Sequence, residues 1–196
     1  MIPEPMAVTL EVTQVLETLG VPCFIAGSLA SAVHGVARAT LDADIVADLR
    51  PEHAEPFAQA LGGAFHAQGW AIRRAVEEGR SFNVIHMETM FKVDIFLPKP
   101  RAFDRAQFER RIRLVLARDP ERAAYVASPE DTILSKLEWY RLGREVSERQ
   151  WRDVVGVLKS RAARLDVAYV RHLAGELGVS NLLQRALTEA GIKEIA

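Results

Sequence analysis

The sequence predicts an α/β chain of the α+β kind: a mixed β-sheet flanked by helices, followed by a C-terminal helical lobe. Three observations predict it. Short apolar runs with strand-like alternation all lie before about residue 128. After that point the pattern is helical, opened by two Ser-x-x-[acid/Gln] capping boxes. The chain has 196 residues, a net charge of −1 and 49% apolar residues, which suits one globular domain or two small ones. The expected division is a lobe of mixed sheet plus helices over residues 1–127 and a helical lobe over 128–196.

Residues 8–19 place Leu10, Val12, Val15, Leu16 and Leu19 at near-helical spacing and stop at Gly20-Val21-Pro22, a helix with a C-terminal Gly and Pro signal. PCFIAG then reads as a short buried strand, and GSLASAVHG as a helix whose small residues allow close packing. A turn over residues 35–40 leads into LDADIVADL. There Asp42, Asp44, Val46 and Asp48 share one strand face, and Leu41, Ala43, Ile45, Ala47 and Leu49 share the other. PEHAEPFAQALGG reads as a helix, and WAIRRA, SFNVIHM and MFKVDIFL as three β-type runs. In the last run Lys92 and Asp94 share a face. Residues 101–122, rich in Arg after Pro98 and Pro100, read as a solvated helix face, with RNA or nucleotide contact as the alternative. Ser128 and Ser147 open helices, and Asp166 and Ser180 are expected caps for two more.

Composition narrows the function classes. The single Cys23 excludes an internal disulfide framework and fits a reducing compartment, with cytoplasm the expected location. The N-terminal stretch has no basic segment, and no run approaches the ~20 apolar residues of a membrane span, so neither export nor a membrane is expected. Near-neutral charge argues against a non-specific nucleic-acid coat. P-loop, G-x-G-x-x-G, H-E-x-x-H and paired C-x-x-C elements are missing.

What remains is the acidic pattern. Asp42 and Asp44 leave one strand face roughly 6.5 Å apart along the strand, a distance a divalent ion can bridge. Carboxylates without nearby Cys or His suit a hard ion such as Mg²⁺, which uses one or two carboxylates plus phosphates and waters. With Asp94 aimed at the same point from a neighbouring strand, three carboxylates could hold two ions about 4 Å apart, the arrangement that serves phosphoryl chemistry. Gly27-Ser28 opens a helix, where free N–H groups and the dipole favour an anion.

Gly27-Ser28, thirteen intervening residues, Asp42-Ala43-Asp44 and then Val93-Asp94-Ile95 together resemble the nucleotidyltransferase signature of the polymerase β superfamily. The run His34-Gly35-Val36-Ala37-Arg38-Ala39-Thr40 is similar to one found in the AbiEii and MenT branch. Lys136 to Arg141 and Arg152-Asp153 are similar to that branch's Lys-x4-Arg element and Asp-bearing helix. The resemblance covers about residues 23 to 155.

The resemblance implies a nucleotidyltransferase-type sheet and Mg²⁺-dependent transfer of a nucleoside monophosphate from a nucleoside triphosphate such as ATP, with Mn²⁺ as a substitute ion. The acceptor would be a hydroxyl or phosphate of tRNA or other RNA, a small molecule or a protein. The acid triad itself does not imply toxin activity; a toxin-antitoxin setting, with the chain as a toxin-like component held by an antitoxin-like partner, is a third reading. Asp42 and Asp44 would be metal ligands, and Asp94 the third ligand or the acceptor's base. Gly27 and Ser28 would hold the β- and γ-phosphates, with Arg38, Thr40, Arg141 and Asp153 as further nucleotide-binding positions. Lys136 would neutralise phosphate charge. Lys136 and Arg141 lie about 140° apart around a helix, so they cannot share one stripe. The alternative is a catalytically silent member of the fold that binds nucleotide or RNA.

Other residues carry plainer expectations. Asp48 is expected to be exposed, and His34 to be a packing or capping residue rather than a ligand. Arg38 either contacts the triphosphate or ties the turn to Asp42. Lys92 is either Asp94's salt-bridge partner or a phosphate contact. Trp139, Tyr140 and Trp151 are expected to pack in a core rather than to stack on bases. Asp153 has a plain alternative too, pairing with Lys136 or Arg141.

Overall fold

The computed structural model describes residues 3–192. The chain divides into two compact units: Met1–Leu29 with Ala39–Ala127, and Ala30–Arg38 with Ser128–Ala196. Among the described residues no helix is long and apolar enough to cross a membrane.

Among the described residues, the first unit is built on a seven-stranded mixed sheet of order β3-β4-β5-β2-β1-β7-β6. Its strands are β1 (Cys23–Ile25), β2 (Asp42–Ala47), β3 (Phe65–His66), β4 (Phe82–His86), β5 (Lys92–Phe96), β6 (Ile112–Arg118) and β7 (Glu121–Val126). β2 runs antiparallel to β1 and parallel to β5, and β1 runs parallel to β7. The expected alternation in β2 is present. Ala43, Ile45 and Ala47 are buried while Asp42, Asp44 and Val46 are half-buried. Register pairs Ala43 with Val93 and Ile45 with both Ile25 and Ile95, so the apolar positions form one continuous buried layer. Leu41, expected on that layer, lies just before the strand and is 90% exposed.

Helix α1 (Glu4–Thr18) starts earlier than its apolar periodicity, with Pro5 in its first turn, and packs on β1, β2 and β7. α2 (Gly27–Val33) follows β1, α3 (Ala54–Leu61) pairs with α4 (Gly69–Glu77), and α5 (Ala102–Arg110) precedes the β6–β7 hairpin.

Two stretches differ from the sequence reading. WAIRRA, expected as a strand, is part of helix α4. Its buried positions Gly69, Ile72 and Ala75 recur every third residue, and Trp70 is exposed, which is helical rather than alternating periodicity. The Arg-rich span is helical only to Arg110. Beyond it, Ile112, Leu114, Val115 and Leu116 supply strand formers, and the guanidinium groups of Arg111 and Arg113 lie 4.4 and 5.5 Å from the Tyr125 ring centroid on the paired strand. High Arg content masked the alternation.

The second unit holds α6 (Pro129–Leu142), α7 (Glu148–Arg161), α8 (Val167–Glu176), α9 (Ser180–Ala190) and the segment 30–38. The Ser128, Ser147 and Asp166 side chains each accept a hydrogen bond from a backbone N–H of the first turn, as expected. Ser180 does not cap its helix: it is already the first helical residue. Segment 30–38 is fastened to α7. Ser160 Oγ donates to the His34 carbonyl at 2.5 Å, and Arg161 donates to the carbonyls of His34 and Val33 at 3.2 Å. A Cβ at Gly156 would stand 2.6 Å from Val36 Cγ2, so any larger residue there would force Val36 to shift. His34 is 3% exposed and packs as expected.

Candidate functional site

Strands β2 and β5 present the acidic pattern as one square of side chains. In their parallel register Asp42 faces Lys92 and Asp44 faces Asp94, so all four leave the same side of the sheet. On the next strand Asn83 is the register partner of Asp94, extending the row Asp44, Asp94, Asn83 across three strands. Asn83 had no role in the sequence reading, because the pairing of SFNVIHM with MFKVDIFL can be known only once register is fixed.

Local contacts position each acid. Thr40 Oγ1 hydrogen-bonds the Asp42 carbonyl at 2.9 Å and its Oδ1 at 3.2 Å, anchoring that side chain at the strand's entry. Asp44 is held from the other end of the same sequence stretch. The Ala26 N–H donates to the Asp44 carbonyl at 2.8 Å, and Gly27 sits against the carboxylate. A Cβ at Gly27 would overlap Asp44 Oδ2 and stand 2.6 Å from its Cγ, and the residue's φ of +56° also disfavours any side chain. Ser28 follows at the start of α2. Asp48, continuing the face, is exposed as expected.

Lys92 is the cation of this square. Its Nζ lies 2.8 Å from Asp94 Oδ2, with side chains 42% and 20% exposed. The hydrogen bond to Asp94 holds the Lys92 amine above its usual range. Partial burial opposes the shift, and the charges of Asp94, Asp42 and Asp44 add to it. Of the two expectations for Lys92, the ion pair is what the structure shows.

The donor set fits a hard divalent cation: three carboxylates on one sheet face, with an ammonium already standing among them and Gly27 keeping the space at Asp44 free of a side chain. Among the described residues no three His, Cys, Asp or Glu side chains are drawn together into a ready-made metal-binding group.

The remaining expected site residues lie in the second unit. Asp153, 1% exposed, accepts from Arg38 at 3.1 and 3.2 Å and pairs with Lys136 Nζ at 2.8 Å. Lys136 also donates to Gln150 Oε1 at 3.0 Å. Arg38, the last residue of the segment held on α7, thus reaches Asp153 on that same helix. Arg141 is not part of this cluster: it pairs with Glu145 at 2.9 Å and donates to Asn181 at 2.6 Å. That separation follows from the angle between Lys136 and Arg141 around α6. Tyr140 and Trp151 pack as expected, with ring centroids 5.3 Å apart, Trp151 Nε1 donating to Glu189 and Arg185 3.8 Å over the indole. Trp139 is 52% exposed and lies outside that cluster.

No protein-family model matches the chain, and no curated protein matches it. Solved structures do. An antigenic nucleotidyltransferase-like protein from Paracoccidioides brasiliensis aligns over 96% of this chain and 94% of its own, with a TM-score of 0.54 and 16% identity. The antibiotic-resistance factor ANT(2'')-Ia aligns in its solution structure over 95% of this chain and 99% of its own, with a TM-score of 0.55 and 13% identity. Its complex with adenylyl-2''-tobramycin aligns over 87% and 95%, with a TM-score of 0.54 and 12% identity. The chain therefore shares the fold of these structures, a mixed sheet with flanking helices.

Proposed function

We propose that this protein is a metal-dependent nucleotidyltransferase that moves a nucleoside monophosphate from a nucleoside triphosphate to a hydroxyl or phosphate acceptor. The observation that carries the reading is the in-register pairing of Asp44 with Asp94 on parallel strands, with Asp42 on the same face and Gly27 against Asp44. Carboxylates on such a fold would serve to hold divalent cations, which would place positive charge where negative charge develops at a transferred phosphoryl group.

Asp42 and Asp44 would hold Mg²⁺ or Mn²⁺, which supplies charge neutralisation at the phosphates and activation of the acceptor oxygen. Thr40 and Gly27 fix the directions of these two carboxylates. Asp94 has either of two roles, third ligand or base for the acceptor hydroxyl. Gly27 and Ser28 would bind the β- and γ-phosphates. In the second unit Lys136, Arg38 and Arg141 are the cations proposed for nucleotide phosphates, with Asp153 orienting the first two.

ATP is the first donor to test, in view of the adenylylated product in the tobramycin complex of the similar structure. Acceptor candidates are RNA including tRNA, a small molecule such as an aminoglycoside, and a protein. The location proposed is the cytoplasm, and an antitoxin-like partner is sought by co-purification from the native host. The decisive assay incubates the protein with Mg²⁺ and each labelled nucleoside triphosphate, with total RNA, aminoglycosides or the protein alone, beside Asp44→Ala. Label transfer lost in the variant supports the reading. Transfer that persists in the variant overturns it, and Mg²⁺-assisted nucleotide binding without product identifies a silent binding member of the fold.

A further inference from the structure

We infer that Lys92 is a tethered counter-ion, a positioning residue whose ammonium holds Asp94 in the metal-free protein and must release it when a divalent cation enters the acid face. This inference rests on the metal-dependent reading above. Three features on one small patch carry it.

First, Lys92 stands two residues before Asp94 on β5, so both side chains leave the same face of one strand. Its Nζ lies 2.8 Å from Asp94 Oδ2. Second, Lys92 is the register partner of Asp42, and Asp94 that of Asp44. The amine is therefore confined to the square whose other three corners are carboxylates. Third, the Lys92 side chain is 42% exposed and that of Asp94 20%, so the ammonium can swing into water while the carboxylate stays on the sheet face.

Asp94 Oδ2 accepts from the Lys92 ammonium at 2.8 Å, so a cation at the same lone pair competes with it. A divalent ion that takes this oxygen of Asp94 displaces one charge-assisted hydrogen bond, and its apparent affinity is reduced by the free energy of that bond. In return the metal-free protein avoids three mutually repelling carboxylates on adjacent strands. Lys92 thus trades metal affinity for stability of the empty site. Its flexible stem and compact charge suit a displaceable partner better than the fixed fork of an arginine.

The test measures Mn²⁺ affinity by electron paramagnetic resonance for the full chain without nucleotide, together with the reactivity of the Lys92 amine towards reductive methylation. Lys92→Met is expected to bind Mn²⁺ about three- to tenfold more tightly than the wild type, the range of a partly exposed ion pair. Lys92→Arg, which keeps the charge and adds the fork, is expected to bind Mn²⁺ no more tightly than the wild type. In the wild type, Mn²⁺ is expected to speed methylation of Lys92 by freeing it from Asp94. Equal or weaker Mn²⁺ binding by Lys92→Met, or unchanged Lys92 reactivity when Mn²⁺ is bound, overturns the tether and leaves the metal-dependent reading intact. Wild-type protein and Lys92→Met that both fail to bind Mn²⁺ overturn both.

Discussion

The two units each contain a cluster of ionised side chains, and the clusters are opposite in composition. On the sheet, one cation stands among three carboxylates, with Lys92 42% exposed. In the helical unit, one carboxylate stands between two cations, with Asp153 1% and Lys136 5% exposed. Water screens the first cluster and leaves it with an excess of negative charge, which suits an incoming cation. The second is shielded from water, so its members depend on each other. The first leaves carboxylates in excess of their cation, and the second also clasps segment 30–38 to α6 and α7. Proximity of opposite charges alone does not distinguish such roles. Burial and stoichiometry do.

The largest expected effect breaks the clasp. Asp153→Asn leaves Arg38 and Lys136 without the carboxylate they share, and urea denaturation should show a loss of about 3–5 kcal/mol. Lys92→Met in the metal-free protein should change stability by less than about 1 kcal/mol, because that pair is half-exposed. Equal losses at the two sites would erase the distinction between them.

Gly27→Ala comes next and acts on the sheet site. The added methyl overlaps the Asp44 carboxylate and meets a φ of +56°. Displacing that carboxylate should reduce nucleotidyl transfer about 100-fold, read by labelled product at saturating Mg²⁺. Thr40→Val removes the hydroxyl that holds Asp42 while keeping the side chain's shape. It should cost about 10-fold in Mn²⁺ affinity, with little change in melting temperature.

The smallest effect near neutral pH concerns the opposite, apolar face of the same sheet. Burial, reinforced by the charge of Glu17, pushes the Cys23 thiol up to about 12, with Arg111 opposing. The folded state therefore binds this proton more tightly than the unfolded chain does. Its contribution is fully present below about pH 9 and is lost as pH rises towards 12. The stability difference between wild type and Cys23→Ala should hence be constant at pH 6–8 and shrink in more alkaline buffer, followed by urea midpoints.

Much of the fold was legible because the physics is local. Alternation in DADIVA reports a strand with one wet face, and the Ser128 and Ser147 boxes report helix starts through hydrogen bonds made within one turn. WAIRRA and the Arg-rich span were misread for a related reason. In short windows a three-residue and a two-residue period look alike, and arginine lying over Tyr125 counts as polar in a pattern although its stem is packed. The site was legible only as an ordered set of acids.

What the sequence determined by itself was the identity and strand position of Asp42, Asp44 and Asp94, the capped helices after residue 128 and the general chemistry those acids allow. Only the tertiary structure decided that Asp44 and Asp94 are register partners, that Gly27 touches Asp44, that Lys92 belongs to Asp94, and that residues 30–38 are fastened to α7. Those outcomes depend on which strand pairs with which and on how closely two backbones approach. Both are set by packing between residues far apart in the chain, and no local pattern encodes them.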